Sequence, residues 1–335
     1  MFISVVVAVR NEVQYIERCI TSLCTQSYEG LYEVIVVDGL STDGTCERLQ
    51  ALQGAFTFTL LRNPEVNAAA GRNIGIEHAQ GDHIAFIDGD AVAAPDWLEQ
   101  IRGAFENSNA VGVGGPDLLP EDSSELARMI GLVMTSPLAS GGFLNPSTQH
   151  TMLDEERWVE HIPTVNLCLK RTSFDEVGLF DENFVKGQDL ELSYRIVQAG
   201  HKLLYSPRIR VVHYRKETIM EFSKQIFKWA KAKIAILKKH GMHGLTSHVY
   251  LWPAYLAILS ILLLALSILF DFTRFFILLL LFLFSIYAFA VLFESVRIAK
   301  EHNAIRLFLY AIILLPVVHL SYAGGVMAAV ARRGI

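Results

Sequence analysis

Residues 250–270 hold no charged side chain over 21 positions, and an apolar run of that length crosses a bilayer as a helix. A second run, 275–293, is as apolar, and a third, 307–331, is broken by Pro316 and by Gly324-Gly325. With 52% hydrophobic residues the chain is richer in apolar side chains than a water-soluble enzyme needs, and the surplus lies late. The expected organisation is a catalytic domain over 1–217, an amphipathic interfacial linker over 218–243 and a membrane domain over 244–335 with two to three spans. Pro316 and His319 mark a kink or a re-entrant turn in the third. Lys224, Lys228, Lys231, Lys233, Lys238 and Lys239 precede the first run, and Arg297, Lys300 and Arg306 follow the second, whereas Asp271 and Arg274 nearly cancel between them. The positive-inside rule then places the protein in the cell membrane with the catalytic domain cytoplasmic. Arg332 and Arg333 oppose a third crossing. Met1-Phe2-Ile3 leads into a strand with no basic leader, so no signal peptide is expected.

The first half has another grammar. Ile3 to Val9 is a β-branched run without alternation, as in a parallel sheet buried on both faces. It turns into a helix on which Ile16, Ile20 and Leu23 share a face. A second strand, Tyr32 to Asp38, ends in a carboxylate, and the polar turn after it offers Thr42 or Asp43 as caps for the next helix. Strand and helix in this alternation make a right-handed βαβ unit. Asp38 is then placed to hydrogen-bond a ribose or base. No Gly-x-Gly-x-x-Gly follows the first strand, against a dinucleotide fold, and no Gly-Lys-Ser/Thr loop is present, against a P-loop ATPase.

Residues 84–90, Ile-Ala-Phe-Ile-Asp-Gly-Asp, read alone either as a strand ending in a solvated turn or as a strand that presents two carboxylates for chemistry. A buried strand stops at Gly89, and Asp88 and Asp90 project from its carboxyl end, where open α/β sheets bind ligands. Two carboxylates this close repel unless a cation stands between them, and hard oxygen donors suit Mg²⁺ or Mn²⁺ shared with substrate phosphates. Farther on, Asp189 falls at the start of a helix, where the dipole favours a carboxylate, with Leu192 and Ile196 turned inward. His213 ends a later strand.

Val-Ala-Val-Arg-Asn-Glu12, Val-Val-Asp38-Gly-x-Ser-x-Asp43-Gly-Thr, Ala-Gly-Arg72-Asn-x-Gly, Asp88-Gly-Asp90, Val-Gly-Leu-Phe-Asp181-Glu-x-Phe and Gly-Gln-Asp189-Leu-Glu-Leu-x-x-Arg195 resemble, in order and spacing, the motifs of family 2 inverting glycosyltransferases. The resemblance covers about residues 1–215, and the membrane-attached exopolysaccharide enzymes of the family are similar in layout. It implies an α/β GT-A fold with a mostly parallel sheet, a nucleoside-diphosphate sugar as donor (a UDP-sugar expected) and Mg²⁺ or Mn²⁺. It further implies that Ala8, Arg10, Glu12 and Asp38 hold the nucleoside and Arg72 steadies the donor. Asp88 and Gly89 then meet the ribose-diphosphate, and Asp88, Asp90 and His213 the metal, with Asp90 the direct ligand. Asp189 is the implied catalytic base. The family writes Glu-Asp where this chain has Gln188-Asp189, and loss of a neighbouring charge makes Asp189 easier to ionise.

Residues 117–160 are polar and weakly periodic, as in an acceptor loop or lid. Gln225-Ile-Phe-Lys228-Trp229 echoes the Gln-x-x-Arg-Trp of processive synthases with Lys for Arg; read instead as an amphipathic helix, it leaves single-sugar addition as the expectation. The acceptor implied is a lipid-linked saccharide in exopolysaccharide or other surface glycan synthesis. Polyprenyl phosphate as direct acceptor is the alternative, and a non-catalytic nucleotide-sugar-binding scaffold the alternative of another class. Net charge of −5 offers no footprint for nucleic acid. The lysines before the first span suit anionic lipid headgroups. Cys19, Cys24, Cys46 and Cys168 have no Cys-x-x-Cys spacing and read as reduced thiols.

Overall fold

The computed structural model describes residues 1–140, 154–214, 218–241, 251–269 and 273–331. Asp271, Arg332 and Arg333, used above for orientation, lie outside them. The chain divides into two compact units, Met1–Ser123 with Asn145–Arg215, and Ser124–Leu144 with Lys216–Ile335.

In the first unit the elements are β1 (Ile3–Val9), α1 (Ile16–Cys24), β2 (Tyr32–Asp38), α2 (Thr45–Leu52), β3 (Thr59–Arg62), α3 (Ala68–His78), β4 (His83–Phe86), β5 (Ala91–Ala93), α4 (Trp97–Glu106), β6 (Gly112–Gly114) and β7 (Asp117–Leu118). In the second unit α5 (Glu125–Met134) and α6 (Pro137–Ser140) follow. The chain returns to the first unit for β8 (Arg157–Val159), β9 (Leu167–Lys170), α7 (Arg171–Val177), α8 (Gln188–Gln198), β10 (Leu203–Tyr205) and β11 (Val211–His213). It ends in the second with α9 (Ile219–His240), α10 (Trp252–Leu269), α11 (Thr273–Glu301) and α12 (Ile305–Ala331).

The main sheet runs β3-β2-β1-β4-β9-β6-β10-β8, and β5-β11-β7 form a smaller one. Strands β3, β2, β1 and β4 pair in parallel, as do β6 and β10; β9 runs antiparallel to β4 and β6. Unbroken β-branched runs produce this because β1 is covered on both sides. Ile3, Val5, Val7 and Val9 pack with Ile16, Ile20, Leu23 and Trp97, while Val6 packs with Ile76, Phe86, Phe174 and Leu192. The cap of α2 differs from expectation. Gly44, at φ 98, holds that position, and Asp43 stands one residue back with Oδ1 accepting from the Thr45 N–H at 3.0 Å.

The second unit is helical. α11 and α12 contain stretches long and apolar enough to cross a membrane, Ile277–Glu301 and Ile305–Ala331, whereas α10 is shorter over its described residues. α12 continues through Pro316 as one helix. His319 on it is engaged at both ring nitrogens: Nε2 donates to the Leu138 carbonyl at 3.0 Å, and Nδ1 lies 2.9 Å from Tyr287 Oη. Thus α6, from the segment read as a lid, is tied to the tail, and Ile130, Val133 and Met134 of α5 share a core with Leu307, Ala311 and Leu314. α9 lies against α12 at Gly325, where a Cβ would strike the Phe227 carbonyl and approach Ala230 Cβ to 2.7 Å. Its row Phe222, Ile226, Ala230 and Ile234 is buried, while Lys224, Lys228, Lys238 and Lys239 stay exposed.

Candidate active site

The carboxyl ends of β1, β2 and β4 meet at one edge of the main sheet. The turn after β1 is stitched to the turn after β2. Asn11, at φ 58, donates its N–H to Ser41 Oγ (2.9 Å) and accepts from the Thr42 N–H (2.8 Å). The Glu12 N–H donates to Thr45 Oγ1 at 2.8 Å. Arg10 is exposed beside Gly39, and Ala8 is partly buried against Gly71. Asp38 is only 2% exposed, and both its oxygens accept from Ser41, at 3.2 Å from the N–H and 2.5 Å from the hydroxyl. Its carboxylate orders the loop that follows it.

Gly89 lets the Asp88–Asp90 turn close on β1, since a Cβ there would lie 2.9 Å from Val9 Cγ2. Asp88, Asp90 and His213 each offer a ligand atom, all within 4.8 Å of one another. Two carboxylates and an imidazole form a donor set that suits Mn²⁺ or Mg²⁺, so the residues fit the cation the resemblance implies. β11 brings His213 there by pairing antiparallel with β5, which registers His213 opposite Ala91. His213 Nε2 lies 3.2 Å from Asp90 Oδ1, and its Nδ1 lies 3.2 Å from Asp117 Oδ2.

Arg72 sits on α3, which Asn67 caps by accepting from the Ala69 N–H at 2.9 Å. Arg72 is 8% exposed, and its guanidinium divides its donors, Nη2 to Asp88 Oδ1 at 3.0 Å and Nη1 to Gln188 Oε1 at 2.8 Å. Gln188 in turn donates to the Phe184 carbonyl at 2.7 Å. The residue that departs from the family's Glu-Asp therefore receives the arginine that also grips Asp88.

Asp189 follows in the first turn of α8, whose cap is Gly187 at φ 78. Burial pushes its carboxyl up, but the nearby His161 imidazole, the charge of Arg72 and the Leu190 N–H outweigh burial and hold it at about 2. His161 Nε2 is 3.5 Å from Asp189 Oδ2. Burial pushes the Cys19 and Cys168 thiols up, which leaves both unreactive.

The geometry brings together Arg72, Asp88, Asp90, His213 and, through Gln188, Asp189, and it turns Asp38 inward. It adds two residues that sequence reasoning missed, Asp117 and His161. Each lies on or just after a strand of two or three residues, too short for periodicity to mark.

Residues 4–177 match the family described as glycosyl transferase family 2. Among relatives, the dolichyl N-acetyl-alpha-D-glucosaminyl phosphate 3-beta-D-2,3-diacetamido-2,3-dideoxy-beta-D-glucuronosyltransferase of Methanococcus voltae is 27% identical over 271 residues, covering 75% of this chain and 78% of that protein. The glucosyl-dolichyl phosphate glucuronosyltransferase of Haloferax volcanii is 30% identical over 257 residues, covering 68% of this chain and 74% of that one. A mannosyltransferase from Pyrobaculum calidifontis, solved in complex with GDP-Man and Mn²⁺, superposes with a TM-score of 0.62 at 18% identity, over 95% of this chain and 86% of that chain. This chain has the GT-A fold, followed by long apolar helices.

Proposed function

The chain belongs to glycosyl transferase family 2, and on that premise we propose that it moves a sugar, with inversion, from a nucleoside-diphosphate sugar to a lipid-linked saccharide at the cytoplasmic face of the cell membrane. A UDP-sugar is the expected donor, and the product belongs to an exopolysaccharide or another surface glycan. The observation that carries this reading is the Arg72 bridge, which ties Asp88 of the Asp88/Asp90/His213 cluster to Gln188, the neighbour of Asp189.

Asp88, Asp90 and His213 would hold Mg²⁺ or Mn²⁺ in this reading, which when bound would supply positive charge against the departing diphosphate. Arg72 adds a fixed charge beside it, already oriented by its two partners. The turn from Ala8 through Arg10 to Glu12 receives the nucleoside end. Asp38 serves that end by holding the loop at 39–41. Asp189 accepts the acceptor hydroxyl's proton as that oxygen attacks the anomeric carbon from the face opposite the leaving group. Held at about 2, it is ionised at neutral pH but weakly basic. The proton therefore leaves late, once bond formation has made the hydroxyl acidic.

Two features support a membrane-bound acceptor. On α11, Leu278, Phe282, Phe284, Phe289 and Phe293 are 62–69% exposed, an apolar surface that lipid covers and water does not. The named relatives also act on dolichyl phosphate sugars, and their names support a saccharide already joined to the lipid over polyprenyl phosphate itself. The exposed lysines of α9 face anionic headgroups in this arrangement.

The test is transfer from an α-linked labelled donor to a lipid-linked acceptor in vesicles with Mn²⁺, with the product anomer read by NMR. A β-linked product is expected. An α-linked product, or donor binding without transfer to any lipid-linked acceptor, refutes the reading.

A further inference from the structure

Asp117 is a carboxylate 3% exposed, outside every motif that marks the site. A buried carboxylate is destabilising unless partners offset it, so its position calls for a reason. Asp117 Oδ2 lies 3.2 Å from Nδ1 of His213, the nitrogen turned away from Asp90.

The separation of these residues is built into the backbone. β7 and β11 pair in parallel with Asp117 opposite Val211. The Val211 N–H donates to the Pro116 carbonyl at 3.2 Å. Asn166, 1% exposed, donates from one amide nitrogen to the carbonyls of Pro116 (3.1 Å) and Ile209 (2.7 Å), and its oxygen accepts from Trp97 Nε1 at 2.8 Å. At Gly115 a Cβ would strike the carbonyls of Ile209 and Ser206. The strand that carries Asp117 is thus pressed against the segment that leads to His213.

We propose that Asp117 is the positioning residue of the metal site: by accepting from Nδ1–H of His213 it fixes the ring's tautomer and rotation, so that the Nε2 lone pair is presented beside Asp88 and Asp90. A carboxylate behind a ligating imidazole also raises its basicity, and loss of such a partner costs about 10–100-fold in metal affinity. The inference rests on the reading of Asp88, Asp90 and His213 as the cation site.

The test uses the full-length protein in detergent without donor, with Mn²⁺ affinity read from the free-ion EPR signal. Asp90→Asn and His213→Ala test the site itself; if neither weakens Mn²⁺ binding, the site reading fails and the proposal with it. If both do, Asp117→Asn should weaken binding by about 10–100-fold, and Asp117→Asn/His213→Ala should bind no worse than His213→Ala. A Mn²⁺ affinity within twofold of wild type, with only the metal-free melting temperature lowered, makes Asp117 structural and overturns the proposal; so does a double variant in which the losses multiply. A further arm needs no Asp117 variant. In ¹⁵N-histidine spectra of Mg²⁺-loaded wild type, the signal missing from His213→Ala should report the Nδ1–H tautomer, and the Nε2–H tautomer overturns the proposal.

Discussion

Asp189→Asn separates a base from a structural acid. Asparagine keeps an oxygen for the Leu190 N–H, which donates to Asp189 Oδ1 at 2.9 Å, and loses the charge that faces His161 and Arg72. The carboxyl's pKa is moved from 3.8 to about 2. At about 1.36 kcal/mol per unit, the ionised form contributes roughly 2 kcal/mol to the folded state. Because the folded value is depressed, that contribution is complete above the unfolded pKa near 4 and disappears as the pH falls through about 2. Thermal unfolding of both proteins in detergent should therefore show a gap between pH 5 and 7 that closes by pH ~2. Turnover should fall about 10²–10⁴-fold across the working range, as loss of a general base does, while donor affinity in the presence of Mn²⁺ is kept. Turnover within tenfold of wild type removes Asp189 as base. Loss of donor affinity along with turnover means that the substitution has disturbed the Arg72 bridge, and a stability gap that ignores pH means that packing, not charge, was lost.

Asp90→Asn should abolish metal-dependent donor binding and transfer without altering the metal-free melting temperature; wild-type activity retained in EDTA would refute the metal assignment. His161→Gln should let the Asp189 carboxyl rise toward its ordinary value, since the His161 imidazole 3.5 Å away lowers it most; the acidic limb of kcat/KM then moves to higher pH, and an unmoved limb counts against the pair. Gly115→Ala forces a methyl group onto two backbone carbonyls and should destabilise the protein by about 1–3 kcal/mol, measurable as a lower melting temperature with Mn²⁺ absent; an unchanged value refutes the close approach. Ending the chain after Lys239 should yield an aggregating protein, because it uncovers Ile130, Val133 and Met134 as well as the buried face of α9; a monodisperse product would refute that packing.

What the sequence made legible was whatever repeats locally. Continuous β-branched runs announced β1 and β2 because strands covered on both faces need no alternation, and spacing placed Leu192 and Ile196 of α8 inward, where they are 0% and 1% exposed. The Asp88-Gly-Asp90 turn was legible because it stands in order and spacing with the other motifs; alone it reads equally well as a solvated turn. Roles that arise across the chain were hidden. Asp117 meets His213 only because β7 joins β11, and α5 and α6 pack with the tail although they are inserted between β7 and β8. Asp38 was legible as a candidate ligand from its position at the end of β2, whereas the two bonds from Ser41 that tie it to the following loop arise only in the fold.

The departure at Gln188 has a physical meaning. With Glu at 188, Arg72 would face a carboxylate on each side, and the charge that Asp88 and Asp189 feel would be shared with a third acid. The neutral Gln188 still accepts from Nη1 and still orients the guanidinium, so the geometry of the bridge survives while its charge is left to the other two. Two consequences go together. Asp189 is easier to ionise, because Arg72 attracts it and no adjacent acid repels it. Asp88 keeps an undivided positive neighbour at 3.0 Å, which lessens its repulsion of Asp90 before any cation arrives. If Asp189 is the base, as proposed, the neutral Gln188 strengthens the electrostatic preparation of the site at the cost of basicity in Asp189, a trade that suits a late proton transfer to a carboxylate.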